Sequence, residues 1–385
     1  MKILLGVTGS IAAYKALDLV SQLVQCGAEV KVVMSQHAKQ FVAPLSFATL
    51  SHHTVYDDLF EDPLAHIELA KWPDLIVIAP ATAQSIAKYR GGFAEDLLGS
   101  ILLATSKKVV MVAAMNQAMW AHPAVVENVH ILTQRGVDFL GPMSGLQACG
   151  DMGVGRMMEV ADILCFLPRY EQVQSLKDKT VLITAGPTQE ALDPVRYLSN
   201  HSSGKMGYAL AHSCYNHGAK VILIAGPNAQ PILPFCETIP VVTAAEMRDA
   251  VISKIDEADI FIACAAVCDF KPNSVHAHKI KKQCDQNPML SLQANPDILA
   301  EVAARPNRPF LVGFSAETES VLENAQQKFH HKQVDLMIAN QVGPGLGFSQ
   351  DEHELTLIHA AGIQVLPKMM KSQLADQIVS VLSSL

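Results

Sequence analysis

Short unbroken apolar runs recur along the chain, and most are followed by a segment whose apolar residues fall at helical spacing. The runs at 2–7, 29–34, 74–79 and 109–114 read as strands buried on both faces, with Pro80 ending the third. Helical spacing covers 11–25, a stretch from Ala83, 95–104, 123–135 and 159–167, and Cys26-Gly27 closes the first of these. Such alternation predicts a parallel sheet with right-handed crossovers. A glycine-rich loop is expected over 141–155. Residues 168–179 are polar and aperiodic, and then the pattern restarts. Strands are expected at 181–184, 221–225, 260–265, 310–314 and 336–339, with helices at 244–256, 296–304 and 318–332. Runs at 355–358 and 364–366 flank Ala361-Gly362 as a hairpin, and 370–382 reads as a last helix. The expected organisation is a domain over 1–168, a linker over 169–179 and a domain over 180–385, each α/β and Rossmann-like with a mainly parallel sheet.

Composition narrows this picture. The 385 residues are too many for one ordinary core and comfortable for two. A net charge of −8 argues against a general nucleic-acid-binding surface, so any phosphate site must be basic locally. No apolar run reaches the length of a membrane span, and the first strand starts at Lys2 without a secretory leader. The eight cysteines are scattered without metal-ligand spacing, which fits reduced thiols in a cytoplasmic protein.

Two strand–turn–helix starts carry the first chemistry. Gly6, Gly9 and Ser10 surround the end of the first strand, and Gly186-Pro187 with Ser202-Ser203-Gly204-Lys205 lead into the first helix of the second half. Free backbone N–H groups and the positive helix end suit a phosphate at such a turn. A tight βα turn alone also accounts for the glycines. The first turn is not a G-x-G-x-x-G fingerprint, and Ser35, not an acid, ends the second strand. That argues against a nicotinamide cofactor and for another phosphate-bearing ligand, flavin mononucleotide first. His66 could act as a base near neutral pH, or be a surface histidine. Asn116 follows the 109–114 strand, at the end of the sheet where ligands bind. Cys149 stands in the glycine-rich loop, read as a mobile flap able to close a thiol over a ligand.

Taken together, GVTGSIAAYK at 6–15, HIELAKW at 66–72, APATAQSIAK at 79–88, MNQAMW at 115–120 and SGLQACGDMGVGRM at 144–157 resemble the flavin-dependent cysteine decarboxylases. The likeness is to the decarboxylase half of the bifunctional phosphopantothenoylcysteine decarboxylase / phosphopantothenate–cysteine ligase family. It implies a flavoprotein-type domain in which FMN oxidises the substrate's cysteine thiol and CO₂ then leaves. It implies His66 as base, Asn116 on the substrate carboxylate and Cys149 as proton donor to the enethiolate. Gly9, Ser10, Ser35 and Thr82 are the implied flavin contacts. Two positions depart from the family's usual residues: Ala113 replaces a proline and Gln84 an asparagine.

The second half resembles the ligase half of the same family. The matching segments are TAGPT at 184–188, DPVRY at 193–197, SNHSSGKMG at 199–207, Ala265-Ala266-Val267 with Asp269-Phe270, KIKK at 279–282, NPDI at 295–298, VGFSAET at 312–318, and Lys328 with Lys332. Read alone, Lys279, Lys281 and Lys282 could be a solvated loop, and Lys328 and Lys332 share one helix face by their spacing. The resemblance implies amide formation driven by CTP with Mg²⁺, through an acyl-cytidylate of 4′-phosphopantothenate that L-cysteine resolves. Lys279 is then the principal catalytic cation and Asn200 binds the acyl-cytidylate. Ala265, Asp269, Lys279, Pro296, Asp297, Ile298, Leu299, Phe314, Lys328 and Lys332 hold CTP. No metal ligand is assigned. The product of both halves would be 4′-phosphopantetheine, with small-molecule partners, no nucleic acid, no membrane, and a homo-oligomer that the resemblance makes a dodecamer. The competing expectation is a non-catalytic regulatory protein on the same flavoprotein fold.

Overall fold

The computed structural model describes residues 1–281, 289–343 and 350–385, so Lys282 lies outside the described residues. The chain divides into two compact units, Met1–Glu171 and Gln172–Leu385.

The first unit runs β1 Lys2–Val7, α1 Ala13–Gln25, β2 Glu29–Met34, α2 Pro44–Ser51, α3 Ala65–Lys71, β3 Leu75–Ala81, α4 Ala83–Gly91 and α5 Leu97–Ala104. It continues with β4 Lys108–Ala113, α6 Gln117–Trp120, α7 Pro123–Gln134, β5 Asp138–Leu140, β6 Met143–Leu146, β7 Met152–Arg156 and α8 Val160–Phe166. The main sheet is parallel in the order β2-β1-β3-β4-β5. Both faces are covered, which is why its strands read as unbroken apolar runs. Ile3, Leu5 and Val7 pack with Leu19 and Val20 of α1, while Leu4, Ile76 and Ile78 pack in a second cluster with Leu98 and Ile101 of α5. Each such fully buried side chain contributes roughly 1.5–3 kcal/mol.

Two expectations change here. β3 does not end at Pro80 but runs to Ala81, with its pairing to β4 shifted between Ile78 and Ala81. Proline lacks the N–H the ladder needs, so it interrupts pairing without ending the strand. The loop expected over 141–155 is an antiparallel hairpin, β6 on β7. Its residues are mostly exposed, so no inward face marks the sequence with alternation.

The second unit opens with β8 Thr180–Ala185, a ribbon of β9 Gln189–Ala191 and β10 Tyr197–Ser199, and α9 Lys205–Asn216. Then come β11 Lys220–Ala225, β12 Glu237–Pro240, α10 Ala244–Lys254 and β13 Ile260–Ala263. A second ribbon pairs β14 Phe270–Pro272 with β15 Leu292–Ala294, before α11 Ile298–Ala303. The unit closes with β16 Phe310–Glu317, α12 Val321–Lys332, β17 Leu336–Gln341, β18 Glu352–His359, β19 Gly362–Met370 and α13 Lys371–Leu382. The large sheet has the order β12-β11-β8-β13-β16-β17-β18-β19, parallel through β17 and antiparallel in the β18–β19 hairpin. Its parallel part reverses direction of growth between β8 and β13, as the first sheet does between β1 and β3. Such reversals open a crevice outside the carboxyl ends of the strands, where ligands bind.

Candidate active sites

In the first unit a cavity of about 450 Å³ opens at that reversal. Thr8, Gly9 and Ser10 follow β1, Ser35 follows β2, and Thr82 and Ser85 begin α4; all line it. Ser10 Oγ accepts from the Ala12 amide at 3.2 Å and Ser35 Oγ from the Ala38 amide at 3.2 Å. Used as acceptors, both hydroxyls keep a proton for a bound anion. Thr82 caps α4 by accepting from the Ser85 amide at 3.3 Å. A Cβ on Gly9 would stand 2.4 Å from His37 Cβ, so only glycine lets the turn close on the loop after β2. Lys88 also lines the cavity, but it is paired with Glu95 at 3.0 Å and Asp96 at 3.1 Å. The bond to Glu95 is the largest effect that raises the pKa of Lys88. Its charge is thus engaged within the protein, and the anion donors of this cavity are neutral hydroxyls and backbone amides. That donor set fits the phosphate of a flavin mononucleotide.

Met115 lines the same cavity, and Asn116 follows it directly. Asn116 Oδ1 caps α6 by accepting from the Ala118 amide at 2.8 Å. Its Nδ2 faces Gln147 Oε1 at 3.2 Å, Asp151 Oδ2 at 3.3 Å and Cys149 Sγ at 3.4 Å. The thiol sits at the tip of the β6–β7 hairpin and donates to Asp151 Oδ2 at 3.3 Å. The hairpin is docked by backbone: the Met115 amide donates to Gly155 O at 3.0 Å. A Cβ on Gly155 would meet Met115 O at 2.2 Å, so this approach requires glycine. His66 does not line the cavity. It stands on α3, half-buried, with Nδ1 buried and without a hydrogen-bond partner among the described residues.

The second unit holds a cleft of about 680 Å³ at the carboxyl ends of β8, β13 and β16. Asn200, Ala265, Asp269, Pro296, Asp297, Ile298, Leu299, Phe314, Lys328 and Lys332 all line it, as does the Ser202–Lys205 turn. Asn200 Nδ2 donates to Ala266 O at 3.2 Å and Val267 O at 3.0 Å, tying the loop after β10 to the loop after β13. Asp297 caps α11 by accepting from the Ala300 amide at 3.0 Å and is bound by Lys332 Nζ. Burial lowers Lys332 from its usual range, against the pull of Asp269. Lys328 is bonded to Glu317 at 2.6 Å. Burial pushes Glu317 up, but Lys328 and Ser315 together hold it below the ordinary carboxylate value. The two helical lysines therefore reach the cleft in prearranged ion pairs, which fixes their geometry for a polyanion.

Lys279 is exposed and is not among the lining residues. Its neighbour Ile280 is anchored instead: Arg196 Nη2 donates to Ile280 O at 2.7 Å and the Ile280 amide donates to Asp193 at 3.1 Å. Sequence reasoning missed Gln147 and Asp151, which flank Cys149 at the hairpin tip where a recognised hairpin would have put all three together. It also missed Lys371, which lines the second cleft from the start of a helix remote in sequence. Among the described residues no group of three or more His, Cys, Asp or Glu could hold a metal ion, and no helix is long and apolar enough to cross a membrane.

Residues 1–170 match the family described as Flavoprotein, and residues 176–385 match the DNA/pantothenate metabolism flavoprotein C-terminal domain. The chain is 46% identical over 391 residues to the Coenzyme A biosynthesis bifunctional protein CoaBC of Vibrio vulnificus (strain CMCP6), covering 100% of this chain and 98% of the relative. It is 44% identical over 394 residues to the protein of that name from Bacillus subtilis (strain 168), covering 100% and 97%. Among solved structures it is similar to the C-terminal domain of Coenzyme A biosynthesis bifunctional protein CoaBC, with 34% identity, 55% of this chain and 97% of that chain covered, and a TM-score of 0.48.

Proposed function

Because this chain belongs to the family of the coenzyme A biosynthesis bifunctional proteins, we propose that each of its two units performs one step of that work. The chain is a bifunctional enzyme, a phosphopantothenoylcysteine decarboxylase and a phosphopantothenate–cysteine ligase. The observation that carries the decarboxylase assignment to particular residues is the meeting of Asn116 and Cys149 at 3.4 Å, next to the hydroxyl-lined cavity. A non-catalytic regulatory role is disfavoured, because such a role needs no thiol poised there.

In the first unit, bound FMN would supply reversible two-electron chemistry, taking electrons from the substrate's cysteinyl thiol to give the neighbouring carboxylate an electron sink and returning them to the product once CO₂ has left. The Gly9 turn, Ser10, Ser35 and Thr82 bind the phosphate and the ring edge. Asn116 Nδ2 orients the carboxylate that leaves as CO₂. Cys149 Sγ holds the proton that the enethiolate product takes, with Asp151 fixing the direction of the S–H. His66 is the base that the family resemblance implies.

In the second unit, the carboxylate of 4′-phosphopantothenate attacks the α-phosphate of CTP, pyrophosphate leaves, and the amine of L-cysteine displaces CMP. Asp269, residues 296–299, Phe314, Lys328 and Lys332 hold the nucleotide, and Asn200 holds the acyl-cytidylate. Lys279 is the proposed catalytic cation. The protein's contribution is alignment and charge neutralisation. Mg²⁺ would accompany the triphosphate; of the two exposed aspartates lining the cleft, Asp297 is bound by Lys332, and Asp269 is the carboxylate that fits the ion.

The test is mass spectrometry of the purified chain incubated with 4′-phosphopantothenate, CTP, Mg²⁺ and L-cysteine. CMP and 4′-phosphopantetheine are the expected products, from a yellow protein with a flavin spectrum. A colourless protein that cannot take up added FMN removes the decarboxylase step. Absence of CMP removes the ligase step.

A further inference from the structure

Two helices begin together on one wall of the second cleft. α9 starts at Lys205 and α13 at Lys371, and both lysines line the cleft. The helices pack along each other and are tied where Ser213 Oγ donates to Asp376 Oδ1 at 2.6 Å. The start of α9 has no side-chain cap, whereas α13 begins with a capping box between Met370 and Gln373 and its Lys371 amide donates to Asp351 O at 2.9 Å. Each helix still presents the positive end of its dipole there. The two lysines are in different states. Lys205 is paired with Asp351 at 2.5 Å. Lys371 is only 8% exposed, and among the described residues its ammonium makes neither a hydrogen bond nor an ion pair.

The groups that Lys371 senses are Lys205, Asp351 and the Cys264 thiol. Burial, and then repulsion from Lys205, draw Lys371 below the usual lysine range, while Asp351 and Cys264 act the other way. Cys264 is no counter-anion, since burial pushes its thiol up to about 12. A desolvated cation beside a second cation is unfavourable unless an anion from outside neutralises it. The open side of the pair is the cleft itself.

We propose that Lys371, together with Lys205, holds a phosphate group of a bound substrate where α9 and α13 begin. The inference deepens the ligase reading and rests on it. That reading brings a phosphate here in two forms, the triphosphate tail of the nucleotide and the phosphate monoester of 4′-phosphopantothenate. Asp351 is the internal anion that an incoming phosphate would compete with for Lys205.

Calorimetry on the full chain separates these. Inorganic pyrophosphate and 4′-phosphopantothenate are titrated separately into wild type, Lys371→Met, Lys371→Arg and Asp351→Asn. Lys371→Met keeps the buried stem and should weaken binding at least about tenfold, the loss of one charge-assisted hydrogen bond, while Lys371→Arg restores most of it. Loss confined to pyrophosphate assigns the site to the nucleotide tail, and loss confined to the monoester assigns it to the pantothenate substrate. Asp351→Asn should tighten the same ligand severalfold, since the competing carboxylate is gone. Wild-type affinity for both ligands in a folded Lys371→Met protein overturns the proposal. Should that variant fail to fold, Asp351→Asn decides alone, and unchanged or weaker binding of both ligands rejects the site. If the chain releases no pyrophosphate from CTP yet the affinities move as stated, the ligase reading fails and the anion site stands.

Discussion

Asp193 is 3% exposed and holds a loop by itself. Its carboxylate accepts from Arg196 Nε at 2.9 Å and from the amides of Val195, Arg196 and Ile280 at 2.8, 2.9 and 3.1 Å. The Arg196 guanidinium, helped by these amides, holds it well below the usual carboxylate range against the effect of burial. A carboxyl depressed in the folded state contributes stability above its unfolded value, near pH 3.9, and that contribution is lost as pH falls through and below it. Asp193→Asn should therefore lower the thermal midpoint at neutral pH and flatten its decline below about pH 4. Thermal unfolding recorded against pH reads both, and a variant with the wild-type acid slope would remove Asp193 from the account. The sequence marked this residue only as part of a matching segment. That Asp193 anchors the backbone next to Lys279, many residues away, follows from packing alone.

At the scale of elements, the β6–β7 hairpin is the piece that brings a thiol to Asn116. Its docking depends on Gly155, where a methyl group would stand 2.2 Å from Met115 O. Gly155→Ala should push the hairpin off and slow decarboxylation by about 100-fold, the scale of a misplacement of about one ångström. The first cavity does not include Gly155, so the flavin spectrum should persist; measuring turnover and spectrum on one preparation separates a displaced thiol from a lost cofactor. The central strands of both sheets were legible because residues buried on both faces leave unbroken apolar runs. The hairpin was not, because exposed strands rich in glycine leave neither a run nor an alternation. α12 likewise starts at Val321 and not Thr318, since Ser320 has a φ of 47° that no helix tolerates.

At the scale of the whole molecule, the two units carry separate cores and separate clefts. Lys279→Gln should abolish CTP-dependent pyrophosphate release and spare decarboxylation, and Cys149→Ser should spare pyrophosphate release but stall after loss of CO₂, accumulating an oxidised decarboxylated product. An equal mixture of the two variants, followed by mass spectrometry, should regain formation of 4′-phosphopantetheine, because the ligated intermediate is free to diffuse. Failure of the mixture, with each variant behaving alone as stated, would mean that the intermediate does not pass between molecules.

Residue order alone gave two α/β halves, the central strands of each sheet but not the edge strands β5 and β12, and the chemistry-bearing residue types at the strand ends, because burial and turn geometry act locally and leave periodic traces. It marked Gly9, Ser10, Ser35 and Thr82, and these line one cavity; it marked Asn200, Asp269, Lys328 and Lys332, and these line another. Only the tertiary structure decided strand order, and with it where each sheet opens a crevice. Only it set Asn116 against Cys149, and Lys371 beside Lys205. Those pairings join segments whose spacing along the chain carries no period, so no local rule could reveal that a buried ammonium on α13 faces the same cleft as the turn before α9.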